Sequence, residues 1–172
     1  MSTQDDDLKS ADFQVNEFSL NGKSMWGKIV YVYDGDTVHI VFKIDGKLVK
    51  FNCRLAGLDT PEIAPKNSSD EKVKTKESTS AAKSKKYLLC KATNVAIEKE
   101  TMTKNEVKAC CAKSTKLVWV KCLDFDKYGR LLVDIYDEPN QTVSFSQDMI
   151  EKKFAIGYDG GAKKQFNDDN FN

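Results

Sequence analysis

The sequence predicts an α+β fold: a small five-stranded β-barrel accompanied by about three α-helices. Five short runs rich in β-branched and aromatic residues alternate with turn residues, which is typical of short barrel strands. A long lysine-rich stretch with helical spacing separates the third run from the fourth. The Asp45-Gly46 pair between two apolar runs is a strong signal for a tight hairpin.

The strands follow from local composition and from the turns that interrupt it. In the third, Cys53 and Leu55 alternate with Asn52 and Arg54, so we expect Arg54 to face away from the apolar side. In the fifth, Arg130 should likewise lie opposite the core-facing residues that follow it. The predicted strands are residues 26–33, 37–44, 48–56, 117–123 and 130–136.

The helices are predicted from apolar spacing and from capping residues. Residues 68–71, Ser-Ser-Asp-Glu, are a plausible helix entry. One helix should span residues 81–97, and a second should begin after Thr103 with a capping box to Glu106 and run to residue 112. Ser144 or Ser146 can cap a last helix reaching Phe154. Three strands, a helical excursion, two strands and a helix are the order of an OB-type barrel.

The chain divides into one domain and two tails. Residues 1–22 are expected to form a flexible acidic tail, in which residues 13–18 could dock, and residues 159–172 a flexible C-terminal tail. The domain should therefore span residues 23–158. A length of 172 residues suits a single domain of this kind.

Composition excludes several kinds of site and compartment. The sequence has one histidine, and its five cysteines show no C-x-x-C spacing, so neither a zinc site nor a disulfide framework is indicated. No signal peptide or transmembrane stretch is recognisable. If the chain is full-length, we expect an intracellular protein, either cytoplasmic or carried in a particle, with no membrane partner.

Basic residues are unevenly distributed in number and in type. Residues 66–116 hold thirteen lysines against six acids, a pattern that fits either a nucleic-acid track or a solvated helical face. Only two of the 27 basic residues are arginine, Arg54 and Arg130. Arginine binds phosphate or carboxylate through a planar two-bond fork that lysine lacks, so both positions are candidate functional residues.

Three polar segments carry the candidate chemistry. Asp34-Gly35-Asp36-Thr37 separates the first two strands, residues 54–62 read Arg-Leu-Ala-Gly-Leu-Asp-Thr-Pro-Glu, and residues 126–130 read Asp-Lys-Tyr-Gly-Arg. Pro61 stiffens the backbone that carries the two acids of the second segment. In this order the segments resemble the signature of the staphylococcal nuclease (thermonuclease) family, and the resemblance extends over about residues 27–158.

That resemblance implies a metal site and a catalytic carboxylate. Asp36 and Asp59 match the family's calcium ligands, and the backbone carbonyl of Thr60 matches a further ligand. Glu62 matches the carboxylate that activates or orients the attacking water. Carboxylate and carbonyl oxygens are the donors that calcium prefers.

The resemblance also implies substrate contacts. Arg54 and Arg130 match the guanidinium groups that bind the scissile phosphate, while Lys127 and Tyr128 match positions near a neighbouring phosphate. Tyr158 resembles a tyrosine beside the nucleotide base. The implied protein is a monomeric calcium-dependent endonuclease, a phosphodiesterase that hydrolyses DNA and RNA with little sequence preference.

Other interpretations of the same residues remain open. The role of Asp34 and Asp36 could be limited to stabilising a turn, and the two arginines could pair with Asp59 and Glu62 as structural ion pairs. The barrel could be a catalytically weak module that binds nucleic acid or protein partners. A third possibility is a metal-binding regulatory barrel with no nucleic-acid substrate.

Overall fold

Five strands close into a barrel, as the sequence predicts. The computed structural model describes residues 6–62 and 71–161, and within the second helix it leaves the side chains of residues 71–74, 76 and 77 undescribed. The fold is an α+β, OB-like fold. Its described elements are α1 (Asp6–Lys9), β1 (Ser24–Val32), β2 (Thr37–Ile44), β3 (Lys47–Leu55), β4 (Leu58–Asp59), α2 (Glu71–Thr93), α3 (Lys104–Lys113), β5 (Val118–Phe125), β6 (Leu131–Tyr136), α4 (Phe145–Glu151) and β7 (Ile156–Gly157). The barrel has the strand order β1-β2-β3-β6-β5, and β5 pairs back onto β1.

The core fills the barrel with alternate residues of every long strand. β6 alternates buried and half-buried residues along its whole length, as the period of two requires. All strand pairs are antiparallel except β3 with β6, which run parallel from Cys53 opposite Leu131 to Leu55 opposite Val133. Helices α2, α3 and α4 add Leu88, Val107 and Met149 to the same core.

The helical excursion differs most from the sequence prediction. α2 begins at Glu71, the last residue of the Ser-Ser-Asp-Glu helix entry, and runs without a break into the helix predicted from residue 81, although its first turns have no apolar stripe. It ends at Thr93, short of the predicted residue 97. Asn94 adopts a left-handed φ of 56° and its amide donates to Cys90 O at 2.8 Å, which is a common way to end a helix.

Other elements match the predictions closely or were missed altogether. Thr103 caps α3 with the full capping box, and Ser144 caps α4. The two-residue strands β4 and β7, which pair with each other, are too short to carry a sequence pattern. The prediction also missed α1, a four-residue helix.

The N-terminal residues behave differently from the prediction that residues 13–18 could dock. Phe13 is 98% exposed and Phe18 is 64% exposed. Leu20 instead is fully buried in the core, and the backbone at Gly22 and Lys23 bonds to Cys122. Among the described residues, no helix is long and apolar enough to cross a membrane.

Candidate active site

Strand register brings Asp36 and Arg54 together. Thr37 is the direct cross-strand partner of Arg54, and the amide of Leu55 donates to Asp36 O at 2.8 Å. The Arg54 Nη1 group donates to Asp36 Oδ2, while the Thr37 hydroxyl donates to Asp36 Oδ1 at 2.7 Å. Both oxygens of the Asp36 carboxylate are therefore held by defined donors.

A tight loop aims Asp36 into this position. The carboxylate of Asp34 accepts bonds from the amides of Asp36 at 3.1 Å and Thr37 at 2.8 Å, as expected for an Asx turn. Gly35 packs so closely that a Cβ there would lie 2.8 Å from Thr60 Cγ2 and 2.8 Å from Ser84 Cβ. The loop is therefore clamped between α2 and residues 58–62, which we call the acidic segment.

Asp59 reaches the same guanidinium from the other side. Arg54 Nη2 donates to Asp59 Oδ1 at 3.1 Å and to the carbonyl of Leu58 at 3.3 Å. β4 is held in place by β7, with Asp59 opposite Ile156. Arg54 thus bridges two carboxylates that are eighteen and five residues away in the chain.

The bridge is buried, which makes it electrostatically unusual. Asp36 is 5% exposed and Asp59 is 2% exposed, and the Arg54 side chain is 15% exposed. Burial raises the pKa of Asp36 to about 6, with Asp34 adding to the rise and Arg54 opposing it. Burial acts to lower the pKa of Arg54, but Asp36 and Asp59 outweigh it and the pKa is raised. Arg54 faces away from Cys53 and Leu55 as predicted, yet it is not a surface residue.

Thr60 and Glu62 continue the acidic segment. Thr60 is 5% exposed beside Asp59, whereas Glu62 is exposed at the end of the first described range. In the described part of the chain, no cluster of three or more histidine, cysteine or acidic residues forms a metal site. The donors that converge here are nevertheless hard oxygens, from the buried Asp36 and Asp59 with Thr60 adjacent, and this chemistry fits calcium.

Arg130 lies near Arg54 in the sheet but has its own partner. β6 pairs with β3 so that Leu132 is opposite Arg54, and Arg130 is two residues before Leu132, immediately before β6 begins. A strand rises about 3.3 Å per residue and neighbouring strands lie about 4.8 Å apart, so the two arginine Cα atoms should be about 8 Å apart. Arg130 Nε donates to Asp126 Oδ2 at 2.8 Å. The structure therefore pairs Arg130 with Asp126, whereas sequence reasoning considered Glu62 and Asp59.

The Asp126 turn presents Lys127 and Tyr128 to solvent. Asp126 Oδ1 accepts from the amides of Tyr128 and Arg130, both at 2.9 Å. The Tyr128 ring is 73% exposed, with Lys127 Nζ 5.1 Å and Arg130 Cζ 5.6 Å from its centroid. An exposed ring flanked by two cations is a suitable surface for an anionic ligand.

Tyr158 lies beside the turn that precedes β4. Its amide donates to Gly57 O at 3.0 Å, and its half-buried side chain donates from the hydroxyl to Gly161 O at 3.0 Å. The C-terminal end of the domain is thereby fixed near the acidic segment.

Two residues of α2 near the site do not stand out in the sequence: Ser84 is not a candidate there, and Lys85 is only one of several lysines of a possible nucleic-acid track. Ser84 is fully buried and donates its hydroxyl to Phe154 O at 2.7 Å, next to Gly35. Burial lowers the pKa of the following residue, Lys85, and the nearby Asp34 opposes that shift. Nothing in the local pattern of α2 distinguishes Lys85 from its neighbouring lysines, so only the tertiary structure identifies it.

One known protein is similar to this chain over much of its length. The uncharacterized protein MJ1439 of Methanocaldococcus jannaschii is 32% identical over 137 residues, which cover 77% of this chain and 59% of that protein. The chain thus spans less than two thirds of the relative's length. No protein-family model matches the chain.

Proposed function

We propose that the protein is a calcium-dependent nuclease that hydrolyses phosphodiester bonds of DNA and RNA. The observation that carries the proposal is the buried bridge from Arg54 to Asp36 and Asp59. Moving a charged group from water into the protein interior costs on the order of several kcal/mol per ion. Buried charged clusters are therefore found at functional sites more often than elsewhere. The resemblance to thermonucleases adds to this argument.

Asp36, Asp59 and Thr60 would hold the calcium ion. When bound, calcium neutralises the two carboxylates and draws charge from the phosphate oxygens. Arg54 would then be released from part of its bridge and could bind the scissile phosphate through its planar fork. Arg130, at the end of the turn that leads into β6, would bind from the neighbouring part of the sheet.

The remaining residues have roles that fit their exposure. Glu62 would accept the proton of the water that attacks phosphorus in line with the leaving oxygen. Arg54 and Arg130 would stabilise the charge that develops on the equatorial oxygens. Lys127, Tyr128 and Tyr158 would bind flanking parts of the strand. None of these contacts reads a base edge, so little sequence preference is expected, and the resemblance implies a 3′-phosphate product.

A second candidate is a catalytically weak barrel that binds nucleic acid or protein partners. The observation that favours it is that both arginines already have carboxylate partners, Arg54 in the buried bridge and Arg130 with Asp126. Under this hypothesis the ion pairs stabilise the barrel, and the Lys127–Tyr128 surface alone contacts a partner.

Digestion of an end-labelled single-stranded oligonucleotide distinguishes the two candidates. We expect cleavage with millimolar calcium and none with chelator, and we expect Glu62→Gln to lose roughly 10²-fold or more in kcat. The matched control is Glu138→Gln, which removes a charge from another exposed glutamate. Binding without calcium-dependent cleavage would support the weak module instead.

A further inference from the structure

A groove beside α2 is lined by both apolar and basic residues. Its volume is about 710 Å³, and Leu89, Met102, Val107 and Phe154 are among its apolar lining residues. Four lysines and one glutamate also line it; the lysines are Lys83, Lys85, Lys86 and Lys99. An apolar recess with an excess of positive charge suits an occupant with apolar side chains among acids.

The N-terminal segment of residues 6–18 has these properties. Its four large apolar side chains are all exposed, namely Leu8 at 72%, Phe13 at 98%, Val15 at 65% and Phe18 at 64%. The same thirteen residues contain four acids and one lysine. Exposed apolar residues this close together mark an interaction surface more often than a solvated tail.

Local bonds hold the middle of the segment in a defined shape. The carboxylate of Asp12 accepts from the amide of Gln14 at 2.8 Å, and the amide of Val15 donates to Asp12 O at 3.2 Å. This turn presents Phe13 outward. Less conformational entropy is lost on binding when the bound shape already exists.

The segment is anchored far from the groove of its own chain. Leu20 is buried near the start of β1, where Gly22 and Lys23 bond to Cys122. The groove lies toward the other end, since Ser84, between the groove residues Lys83 and Lys85, packs against Gly35 beyond the end of β1. A nine-residue strand is about 30 Å long, and the seven residues from Leu20 to Phe13 span at most about 25 Å, so the groove of a neighbouring copy is the accessible one.

We propose that two copies of the chain exchange their N-terminal segments, each placing Phe13 in the α2 groove of its partner. Asp12 and Glu17 then lie against the groove lysines. The exchange is reciprocal, so each copy contributes one segment and one groove, as in a two-fold symmetric dimer. This revises the expectation of a monomer and does not depend on the proposed nuclease activity.

Sedimentation of the full chain over a range of concentrations tests the exchange. We expect a dimer, and we expect Phe13→Ser to weaken it roughly 100-fold or more because both contacts lose a buried ring. Lys83→Glu should weaken it as well. The matched controls are Leu48→Ser and Lys47→Glu, which change an exposed apolar residue and an exposed lysine at the β2–β3 hairpin and should leave the dimer intact.

A cross-link identifies the groove directly. Cys90 lines the groove, so in Val15→Cys chains mild oxidation should join position 15 of one copy to Cys90 of the other, and Cys90→Ser should abolish the bond. Two mass-tagged forms of the chain distinguish links between copies from links within one. A monomer at every concentration, a dimer that ignores Phe13→Ser and Lys83→Glu, or a link within one copy would overturn the proposal.

Discussion

Replacing Arg54 by lysine tests whether the buried bridge is a functional device or an ordinary surface pair. The guanidinium contacts two carboxylates, with 3.1 Å between Nη2 and Asp59 Oδ1. At that distance and an effective dielectric constant of about 20, one such pair contributes roughly 5 kcal/mol before desolvation is subtracted. A lysine keeps the charge but can hold only one carboxylate well.

The loss of folding stability expected for Arg54→Lys is derived from the loss seen when one member of a buried ion pair is removed completely. Removing one member of a buried pair typically costs about 3–5 kcal/mol. Because lysine retains one contact, we expect Arg54→Lys to lower the free energy of unfolding by about 2 kcal/mol. This exceeds the loss of about 1 kcal/mol or less that holds for exposed positions, where sequence reasoning had placed Arg54. The turnover number should fall roughly 10²-fold or more, since a point charge cannot replace the fork.

The two effects are measured separately. Urea unfolding gives the loss of stability, and single-turnover cleavage, at a temperature where the variant is folded, gives the loss of turnover. Arg130→Lys is the matched control for stability. Its partner Asp126 is one turn away and both side chains are partly solvated, so the loss should be about 1 kcal/mol or less. If Arg54→Lys unfolds at the wild-type urea concentration, the bridge is not stabilising. Near-normal turnover in a destabilised variant would refute the catalytic role.

Four further outcomes are expected. Arg130→Lys should lose roughly 10²-fold in kcat despite its small effect on stability. Gly35→Ala should lower the free energy of unfolding in urea by about 1–3 kcal/mol, because the new Cβ would lie 2.8 Å from atoms of Ser84 and Thr60. Gly157→Ala is the control and should have no such effect, because the space around Gly157 is open. Millimolar calcium should raise Tm in wild type and in Glu62→Gln, and an unchanged Tm would count against the metal site. Burial acts to raise the pKa of Asp148, but hydrogen bonds and ion pairs outweigh it and lower the pKa to about 2. The ionised Asp148 therefore stabilises the fold by about 1 kcal/mol above about pH 4, and this stabilisation is lost as the pH falls toward 2. The difference between wild type and Asp148→Asn in urea unfolding should therefore disappear at low pH.

The sequence predicts the barrel well because its strands carry a strong period of two and clear turns. It also predicts that Arg54 faces away from Cys53 and Leu55, since that follows from alternation alone. It does not predict how deeply Arg54 is buried, because β4 covers it only after pairing with β7, and strands of two residues leave no pattern. Whether a side chain on the outer face is exposed depends on what the rest of the chain lays over it.

The continuity of α2 and the partner of Arg130 do not follow from the sequence, for different reasons. Residues 71–80 have no apolar period, so the pattern does not show that the helix continues from its entry to residue 81. Arg130 is held by Asp126, four residues away in its own turn, rather than by an acid across the barrel. An ion-pair partner that is close in sequence is favoured over a distant one because less chain entropy is lost when the contact forms.

The parallel contact between β3 and β6 sets the order in which the barrel can assemble. Its three residue pairs join positions that are roughly eighty residues apart, whereas the β2–β3 and β5–β6 hairpins are local. Closing so long a loop for only three residue pairs is unfavourable until the β2–β3 and β5–β6 hairpins have formed. This seam should therefore close only after the two hairpins have formed, and its amides should exchange with solvent sooner than those in the middle of β2. Because Arg54 lies in the seam, the two arginines would come close together only when it closes, so a partly folded chain would present an intact β1–β3 meander without a complete site.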